Sequence, residues 1–189
     1  MRPASPAVKL TYDDFVRFPD DGQRHELIEG EHVVTPSPNA RHQRIAGTLH
    51  ALIWNYLEVH PIGEVFIAPF DVVMSEFNVV EPDVLYLSNE RAAAALTEAH
   101  VRGVPELVVE VMSKSTRRRD ETAKRALYER MGVTEYWVVD PRGDTVRVHR
   151  HDGQGFTRPV ELSGTAGDFL QTPLLPGLEV RLERVFRER

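Results

Sequence analysis

A buried strand, a charged helix and a second buried strand follow one another in residues 103–140, and this order limits the possible folds more than any other feature of the sequence. Residues 107–112 and 135–140 are almost wholly apolar, which is typical of strands covered on both faces of a sheet. Residues 120–131 between them carry an apolar helical face, and Gly132 ends the helix. A strand, a helix and a strand in this order predict a parallel crossover.

The remaining patterns add further strands and one long helix to this unit. Residues 40–59 repeat apolar side chains every three or four positions and form the longest predicted amphipathic helix. Residues 88–103 are polar or alanine-rich and are interpreted as a connection. Strand-like runs lie at 24–34, where two short strands flank a turn, and at 64–74, 79–87 and 106–112. We therefore expect an α/β (α+β) fold with a central mixed β-sheet flanked by helices.

The size and composition suit one cytoplasmic domain. With 189 residues and 41% hydrophobic content, we expect a single domain over residues 1–189. The absence of cysteine excludes disulfides and thiolate zinc sites and fits a reducing compartment. Residues 1–12 lack the apolar segment of a secretory signal, and no run approaches the roughly 18 apolar residues of a membrane span. The sequence thus predicts a cytoplasmic protein without membrane contact.

The charge is distributed unevenly along the chain. The net charge of −6, from 29 acidic and 23 basic residues, argues against binding polyanions through the overall field. Residues 113–130 oppose that sign, with seven basic and three acidic side chains. This segment is either a solvated face of a loop and helix or a local contact surface for nucleic acid.

Two carboxylates each lie inside a strand-like run. Asp83 follows Pro82, which interrupts strand pairing, and Glu110 lies in the middle of the apolar strand 107–112. A buried carboxylate is usually neutralised, paired or bound to a metal. Two carboxylates side by side repel unless a cation lies between them, and oxygen ligands with room for water suit Mg²⁺. The alternatives are that Asp83 is a turn residue and that Glu110 forms a buried ion pair with an arginine.

The spacing of these acids resembles the motif of the PD-(D/E)XK nucleases. A Pro-Asp pair ending at Asp83 is followed 27 residues later by Glu110. Met112 stands where the usual motif has its lysine. If the site is active, a lysine must reach it from elsewhere. Lys124 is the better candidate, because its helix can fold back over the sheet, and Lys114 in the preceding loop is the weaker one.

A narrower resemblance is to the Uma2 family, which is grouped with the restriction-endonuclease-like nucleases and was formerly a domain of unknown function. It covers roughly residues 10 to 185 and is carried by "ELIEGEHVV", "EPDVLYL", "PELVVEVMSKSTRRRDETAKRALYERMGVTEYWVVDP" and "LLPGLEV". The resemblance implies a restriction-endonuclease-like core, a divalent cation (Mg²⁺ or Mn²⁺) held by Asp83 and Glu110, and a catalytic lysine at Lys124. One departure is Lys114, where the family more often has proline.

Three further residues are open between a structural and a functional role. From spacing alone, Lys124 would be the i+4 partner of Asp120 on a helix surface, and only the resemblance favours a catalytic role. Glu29 beside its turn is either structural or a further acid of the metal site. His42 either faces solvent at the start of its helix or joins the site.

These features together predict a metal-dependent endonuclease that hydrolyses phosphodiester bonds of DNA. Lys124 would orient the attacking water or neutralise charge that develops on the phosphate. Backbone phosphates would be held by the basic residues Lys114, Arg117, Arg118 and Arg119. A homodimer is expected, because a duplex has two antiparallel strands and two-fold dimers are the commonest assembly. The alternatives are a catalytically silent binding or assembly module, and a hydrolase of another phosphodiester such as RNA or a small nucleotide.

Overall fold

A computed structural model describes residues 8–19 and 21–187, in which strands form two main sheets with helices packed against them. Residues 1–7, 20, 188 and 189 of the expected single domain lie outside the described residues. The helices are α1 (Tyr12–Phe15), α2 (Ala40–Val59), α3 (Asn89–Ala95), α4 (Arg117–Arg119), α5 (Arg125–Met131) and α6 (Leu182–Phe186), and a π-helical turn spans Asp120–Lys124. The strands are β1 (Arg24–Ile28), β2 (Glu31–Thr35), β3 (Gly63–Ile67), β4 (Asp71–Ser75), β5 (Asn78–Val80), β6 (Val84–Ser88), β7 (His100–Arg102), β8 (Leu107–Val111), β9 (Glu135–Asp140), β10 (Thr145–Arg150), β11 (Val160–Ser163), β12 (Phe169–Leu170) and β13 (Val180–Arg181).

The chain passes between the two main sheets at two prolines. One sheet has the order β2-β1-β5-β4-β7, and the other has the order β11-β10-β9-β8-β6-β3. The predicted run 64–74 is divided near Pro69 into β3 and β4, and the run 79–87 is divided at Pro82 into β5 and β6. Proline has no N–H to donate to a strand ladder, so each run stops pairing where its proline lies. Each run therefore supplies one strand to each sheet.

The predicted parallel crossover is confirmed. β8 and β9 are parallel neighbours, with Leu107 opposite Glu135 and Val111 opposite Val139. Their helical connection begins with α4, earlier than predicted, and passes through the π-helical turn into α5. It ends at Gly132, whose φ of 79° lies in the left-handed region that favours glycine. Antiparallel pairs of β6 with β3 and β8 make the sheet mixed, as expected.

Strand β8 separates two apolar clusters, because its side chains alternate between the faces of the sheet. Val109 and Val111 pack in the cluster that contains the inner face of α2. Val108 and Met112 pack in the cluster that contains the inner face of α5. By the same alternation Glu110 lies on the α5 face, so the helix that follows β8 covers it.

Residues 88–103 contain more structure than predicted. The alanine-rich part forms α3, whose first turn is capped by the Ser88 hydroxyl accepting a hydrogen bond from the Arg91 amide at 3.2 Å. The three residues of β7 then pair in parallel with β4. A helix of seven residues and a strand of three are too short to produce a clear periodic pattern. Within the part of the chain that the structure describes, no helix is both long and apolar enough to span a membrane.

His149 on β10 makes the stability of the apolar cluster beneath α5 depend on pH. Its side chain is buried against the rings of Tyr136 and Phe156. Burial, together with the positive charges of Arg125 and Arg147, lowers the pKa of His149 from 6.5 to about 4. The unfolded chain therefore takes up a proton below pH 6.5 that the folded protein does not take up until about pH 4, so stability should fall as the pH drops through this window.

We predict that His149→Phe reduces the loss of stability between pH 7.5 and pH 5, because phenylalanine keeps an aromatic ring in the cluster and cannot be protonated. Urea unfolding at the two pH values measures the difference in the free energy of unfolding. The same replacement at the exposed His60 is the control and should leave the parental pH dependence. An unchanged pH dependence in His149→Phe would contradict the prediction.

Candidate active site

The two acids predicted from the sequence meet where the chain enters the six-stranded sheet. Val84 on β6 is paired with Val109 on β8, and one further step along this antiparallel register places Asp83 opposite Glu110. Directly opposed residues of an antiparallel pair project from the same face. Both acids are buried, with 4% and 3% of their surfaces exposed. The structure thus brings Asp83 and Glu110 together.

Asp83 is held as a carboxylate by three donors. Arg24 on β1 lies 3.1 Å from Oδ1, and His42 Nε2 lies 3.0 Å from Oδ2. The amide of Val111 donates to Oδ2 at 2.8 Å. Burial alone would raise the pKa of Asp83, but the His42 hydrogen bond and the charges of His42 and Arg24 lower it below its usual value. His42, at the start of α2, is therefore buried beside Asp83 and does not face solvent.

Glu110 is in a different electrostatic state. Its Oε1 accepts hydrogen bonds from Lys124 Nζ at 2.8 Å and from the Tyr128 hydroxyl at 2.7 Å. Burial raises the pKa of Glu110 to about 8, and the charges of Asp83 and Asp120 act in the same direction against that of Lys124. The neighbouring acids thus differ, since the surroundings favour the ionised form of Asp83 and oppose that of Glu110, which depends on Lys124 to remain charged.

Lys124 is buried and lies between two glutamates. Its Nζ lies 2.7 Å from Glu26 Oε1 as well as 2.8 Å from Glu110 Oε1, and only 2% of its side chain is exposed. Burial would lower the pKa of Lys124, but the charges of Glu110 and Glu26 raise it, so the ammonium is retained. The interpretation of Lys124 as a surface partner of Asp120 is therefore wrong.

Glu26 is the site residue that sequence reasoning missed. This β1 side chain is fully buried, and it accepts hydrogen bonds from the Glu81 amide at 3.0 Å and the Thr35 hydroxyl at 3.1 Å. Burial would raise the pKa of Glu26, but the charge and hydrogen bond of Lys124 lower it. The signal in the sequence was the alternation in "RHELI", which puts Arg24 and Glu26 on one face of the strand.

Glu29 is not brought to Asp83 and Glu110. It occupies the tight turn between β1 and β2 with a φ of 57°, and its carboxylate pairs with Arg130 at the end of α5. About half of its side chain is exposed (49%). In this structure Glu29 therefore links the turn to the end of α5, and the acid that β1 brings to the lysine is Glu26.

In the basic segment after β8, some side chains make internal contacts and others face solvent. Arg117 makes a two-pronged contact with Asp140, at 2.9 and 2.6 Å. Arg119 donates to the Thr35 hydroxyl at 2.7 Å and lies 3.8 Å from Glu26. The exposed members of the predicted phosphate-binding set are Lys114 and Arg118.

The oxygen donors near Asp83 and Glu110 suit a divalent cation in their chemistry. The region where the two main sheets meet, the junction, contains five buried acids: Glu26, Glu81, Asp83, Glu110 and Asp120. Three permanent cations lie beside them, namely Arg24, Arg119 and Lys124. Both oxygens of Asp120 lack a hydrogen-bond partner within the described chain. Among the described residues no three acidic or histidine side chains already enclose a metal position. Mg²⁺ commonly uses only one or two carboxylates and takes its other ligands from water and phosphate, so a pair of neighbouring acids is compatible with such an ion.

The mixed sheet, with two opposed acids and a buried lysine near one end, has the features that the sequence led us to expect of the restriction-endonuclease-like class of nucleases. The family model of Uma2, described as "Putative restriction endonuclease", matches residues 12–183, and the chain belongs to the Uma2 family.

A solved structure agrees with this fold. The chain is similar to the crystal structure of a "putative nuclease belonging to DUF820" from Anabaena variabilis ATCC 29413, with a TM-score of 0.78 and 18% sequence identity. The match covers 94% of this chain and 97% of that one. No curated protein matches the chain.

We predict that Lys124→Met lowers the free energy of unfolding by about 3–5 kcal/mol, because it leaves Glu26 and Glu110 buried without their cation. Adding Glu26→Gln should recover part of this loss, since one uncompensated charge is then removed. Urea denaturation of the two single variants and the double variant gives the coupling energy.

Arg125→Met is the matched control for this cycle. Arg125 is on the same helical segment and forms only a partly exposed pair with Glu129 at 3.3 Å, so its removal should cost less than about 1 kcal/mol. Additive effects of Lys124→Met and Glu26→Gln would show that the ion pair does not stabilise the junction.

Proposed function

We propose that this chain is a metal-dependent endonuclease that hydrolyses phosphodiester bonds of DNA, with Mg²⁺ or Mn²⁺ held by Asp83 and Glu110. The Uma2 family and the nuclease fold support a nuclease. The observation that carries the proposal is the buried cluster in which Asp83, Glu110 and Lys124 meet from three different elements. Two acids and a lysine at one sheet end are the parts that metal-assisted phosphodiester hydrolysis needs.

Each residue of the cluster has a distinct task in this proposal. The cation, when bound, supplies Lewis acidity to the scissile phosphate and lowers the pKa of water. Arg24 and His42 keep Asp83 ionised and fix its orientation. Tyr128 orients Glu110 by its hydrogen bond of 2.7 Å. Lys124 holds a positive charge where negative charge develops on the phosphate, and such a preorganised charge acts strongly in a site that excludes water.

DNA binding would depend on the exposed part of the basic segment. Lys114 and Arg118 face solvent and can contact backbone phosphates, whereas Arg117 is paired with Asp140. Contacts of this kind position a duplex without reading its sequence. The net charge of −6 means that these contacts must act locally. The homodimer predicted from the sequence stays a prediction.

One observation favours the second candidate, a catalytically silent binding or assembly module. Asp83 is already paired with Arg24 and His42, and Glu110 with Lys124. A cluster that satisfies its acids internally can persist as a purely structural feature. The two candidates differ in whether a divalent cation supports turnover.

We expect the purified protein to nick or linearise supercoiled plasmid when Mg²⁺ or Mn²⁺ is added. Asp83→Asn and Glu110→Gln should abolish cleavage, because each removes a cation ligand. Lys124→Ala should reduce the rate by at least about 10²-fold, the usual effect of losing one charge-stabilising group. Gel electrophoresis over time measures the rates, and circular dichroism confirms that each variant is folded.

Glu135→Gln is the matched control for these variants. Glu135 is also a buried acid with a cationic partner, Arg150 at 2.8 Å, but it belongs to β9 outside the cluster. This variant should cleave at the parental rate. A parent protein that binds DNA and metal without cutting would favour the silent module, and cleavage of RNA alone would favour the other phosphodiester.

We also predict that Lys114→Ala combined with Arg118→Ala weakens DNA binding equally for all sequences. The log–log dependence of affinity on salt should flatten by about one unit for each phosphate that the variant no longer neutralises. Fluorescence anisotropy with labelled duplexes at several salt concentrations measures this slope. The control removes the same charge from other exposed positions, with Arg158→Ala and Arg184→Ala. Equal effects of the two pairs would show that the segment is only a solvated face.

A further inference from the structure

Asp120 is the buried acid of the cluster that has no hydrogen-bonded partner. Only 1% of its surface is exposed, and neither carboxylate oxygen has a hydrogen-bond partner among the described residues. The Thr116 hydroxyl is close enough to lower the pKa of Asp120, but their contact does not have the geometry of a hydrogen bond. This hydroxyl accepts from the Ser113 amide at 3.0 Å and shares a hydrogen bond of 3.1 Å with the Ser113 hydroxyl. A buried polar group left in this state costs free energy, so another state of the site should satisfy it.

The backbone of Asp120 is fixed although its side chain is unsatisfied. Its amide donates to the Thr116 carbonyl at 2.9 Å, and its carbonyl accepts from the Tyr136 hydroxyl at 3.0 Å. The backbone of Asp120 is therefore held beside the cluster by Tyr136 of β9 and by the preceding turn of the helix. With the backbone held, a partner for the carboxylate has to come from the side chains that surround it.

Lys124 is the cation placed to be that partner. The two residues begin and end the same π-helical turn, and both are buried while Thr122 between them is exposed. Burial raises the pKa of Asp120, and the charge of Lys124 is the largest influence that opposes this rise. The ammonium nevertheless bonds to Glu26 and Glu110. A lysine side chain is flexible enough to exchange one carboxylate for another nearby.

We propose that Asp120 is a positioning residue that accepts the Lys124 ammonium when a divalent cation binds at Asp83 and Glu110. The inference rests on the proposed function, because it requires a site that binds such a cation. A dication on Glu110 repels an ammonium bonded to the same carboxylate, and this repulsion is strong where water is excluded. By moving to Asp120, Lys124 leaves Glu110 to the cation and stays beside the reacting phosphate.

The exchange can be followed by nuclear magnetic resonance of the lysine ammonium groups. The chain has three lysines, Lys9, Lys114 and Lys124, and of these only Lys124 is buried. Its ¹⁵N-labelled Nζ signal should be protected from exchange with water. Titration with Mg²⁺ should shift this signal in the parent protein and leave it in place in Asp120→Asn. Calorimetry with Mn²⁺ should show an affinity about tenfold lower for Asp120→Asn, since the ammonium then continues to compete for Glu110.

Two variants control for charge and for structure. Asp120→Glu keeps a carboxylate and should restore both the shift and the Mn²⁺ affinity. Glu121→Gln removes an acid from the same turn and should behave as the parent, because Glu121 pairs with Arg117 and Arg147 away from Lys124.

The possible results separate the inference from the function on which it rests. Weaker Mn²⁺ binding by Asp120→Asn with a Lys124 signal that still shifts would make Asp120 a cation ligand and overturn the inference. Parental behaviour of Asp120→Asn in both measurements would also overturn it. A parent that binds Mn²⁺ with a stationary Lys124 signal would overturn the inference alone. A parent protein that binds neither Mg²⁺ nor Mn²⁺ would overturn the proposed metal-dependent function as well.

Discussion

One buried ammonium group joins the two sheets. Lys124 Nζ bonds to Glu26 on β1, in the five-stranded sheet, and to Glu110 on β8, in the six-stranded sheet. Burying such charges removes their hydration, and the ion pair is stable only where further hydrogen bonds satisfy the remaining oxygens. Here a tyrosine hydroxyl and a backbone amide donate to the two oxygens that also bond Lys124, and a threonine hydroxyl donates to the other oxygen of Glu26. Together with the contact of Arg24 on β1 with Asp83, this arrangement links the two sheets where the acids lie.

The π-helical turn explains how a helix residue reaches so far into the junction. A helix with regular α-helical turns would place an acid and a lysine four residues apart as neighbours on its surface. In this chain both Asp120 and Lys124 are buried, and the ammonium extends beyond the helix to two strands. Single π-turns occur often at functional sites, because they change the direction of a few side chains without ending the helix.

The sequence could identify some of these residues and not others for a physical reason. Asp83 and Glu110 were predictable because each interrupts an apolar run, where a charge needs a partner. Glu26 could not be predicted in the same way, because its contact with Lys124 depends on the pairing of β1 with the distant strand β5. That pairing has a single opposed pair, Leu27 and Val79. Periodicity shows which face of a strand is buried, but it does not show which distant strands become neighbours. The fold class and the parallel crossover follow from local patterns and could therefore be predicted.

The methionine at position 112 and the lysine at position 124 have a common explanation, since the positive charge comes from the helix and not from the strand. Met112 lies on the same face of the strand as Glu110 and is buried in the cluster beneath α5, with 3% of its surface exposed. An ammonium there would lie near the guanidinium of Arg147, whose Nη2 is 4.0 Å from Met112 Sδ, so like charges would repel. Lys124 enters from the helix above and has its second counter-ion, Glu26, on the neighbouring sheet. The buried ammonium beside Glu110 therefore comes from the helix and not from the strand that carries the acid. In the proposed function this ammonium takes the role of the motif lysine, because the reaction needs a positive charge beside the carboxylates and not a fixed spacing along the chain.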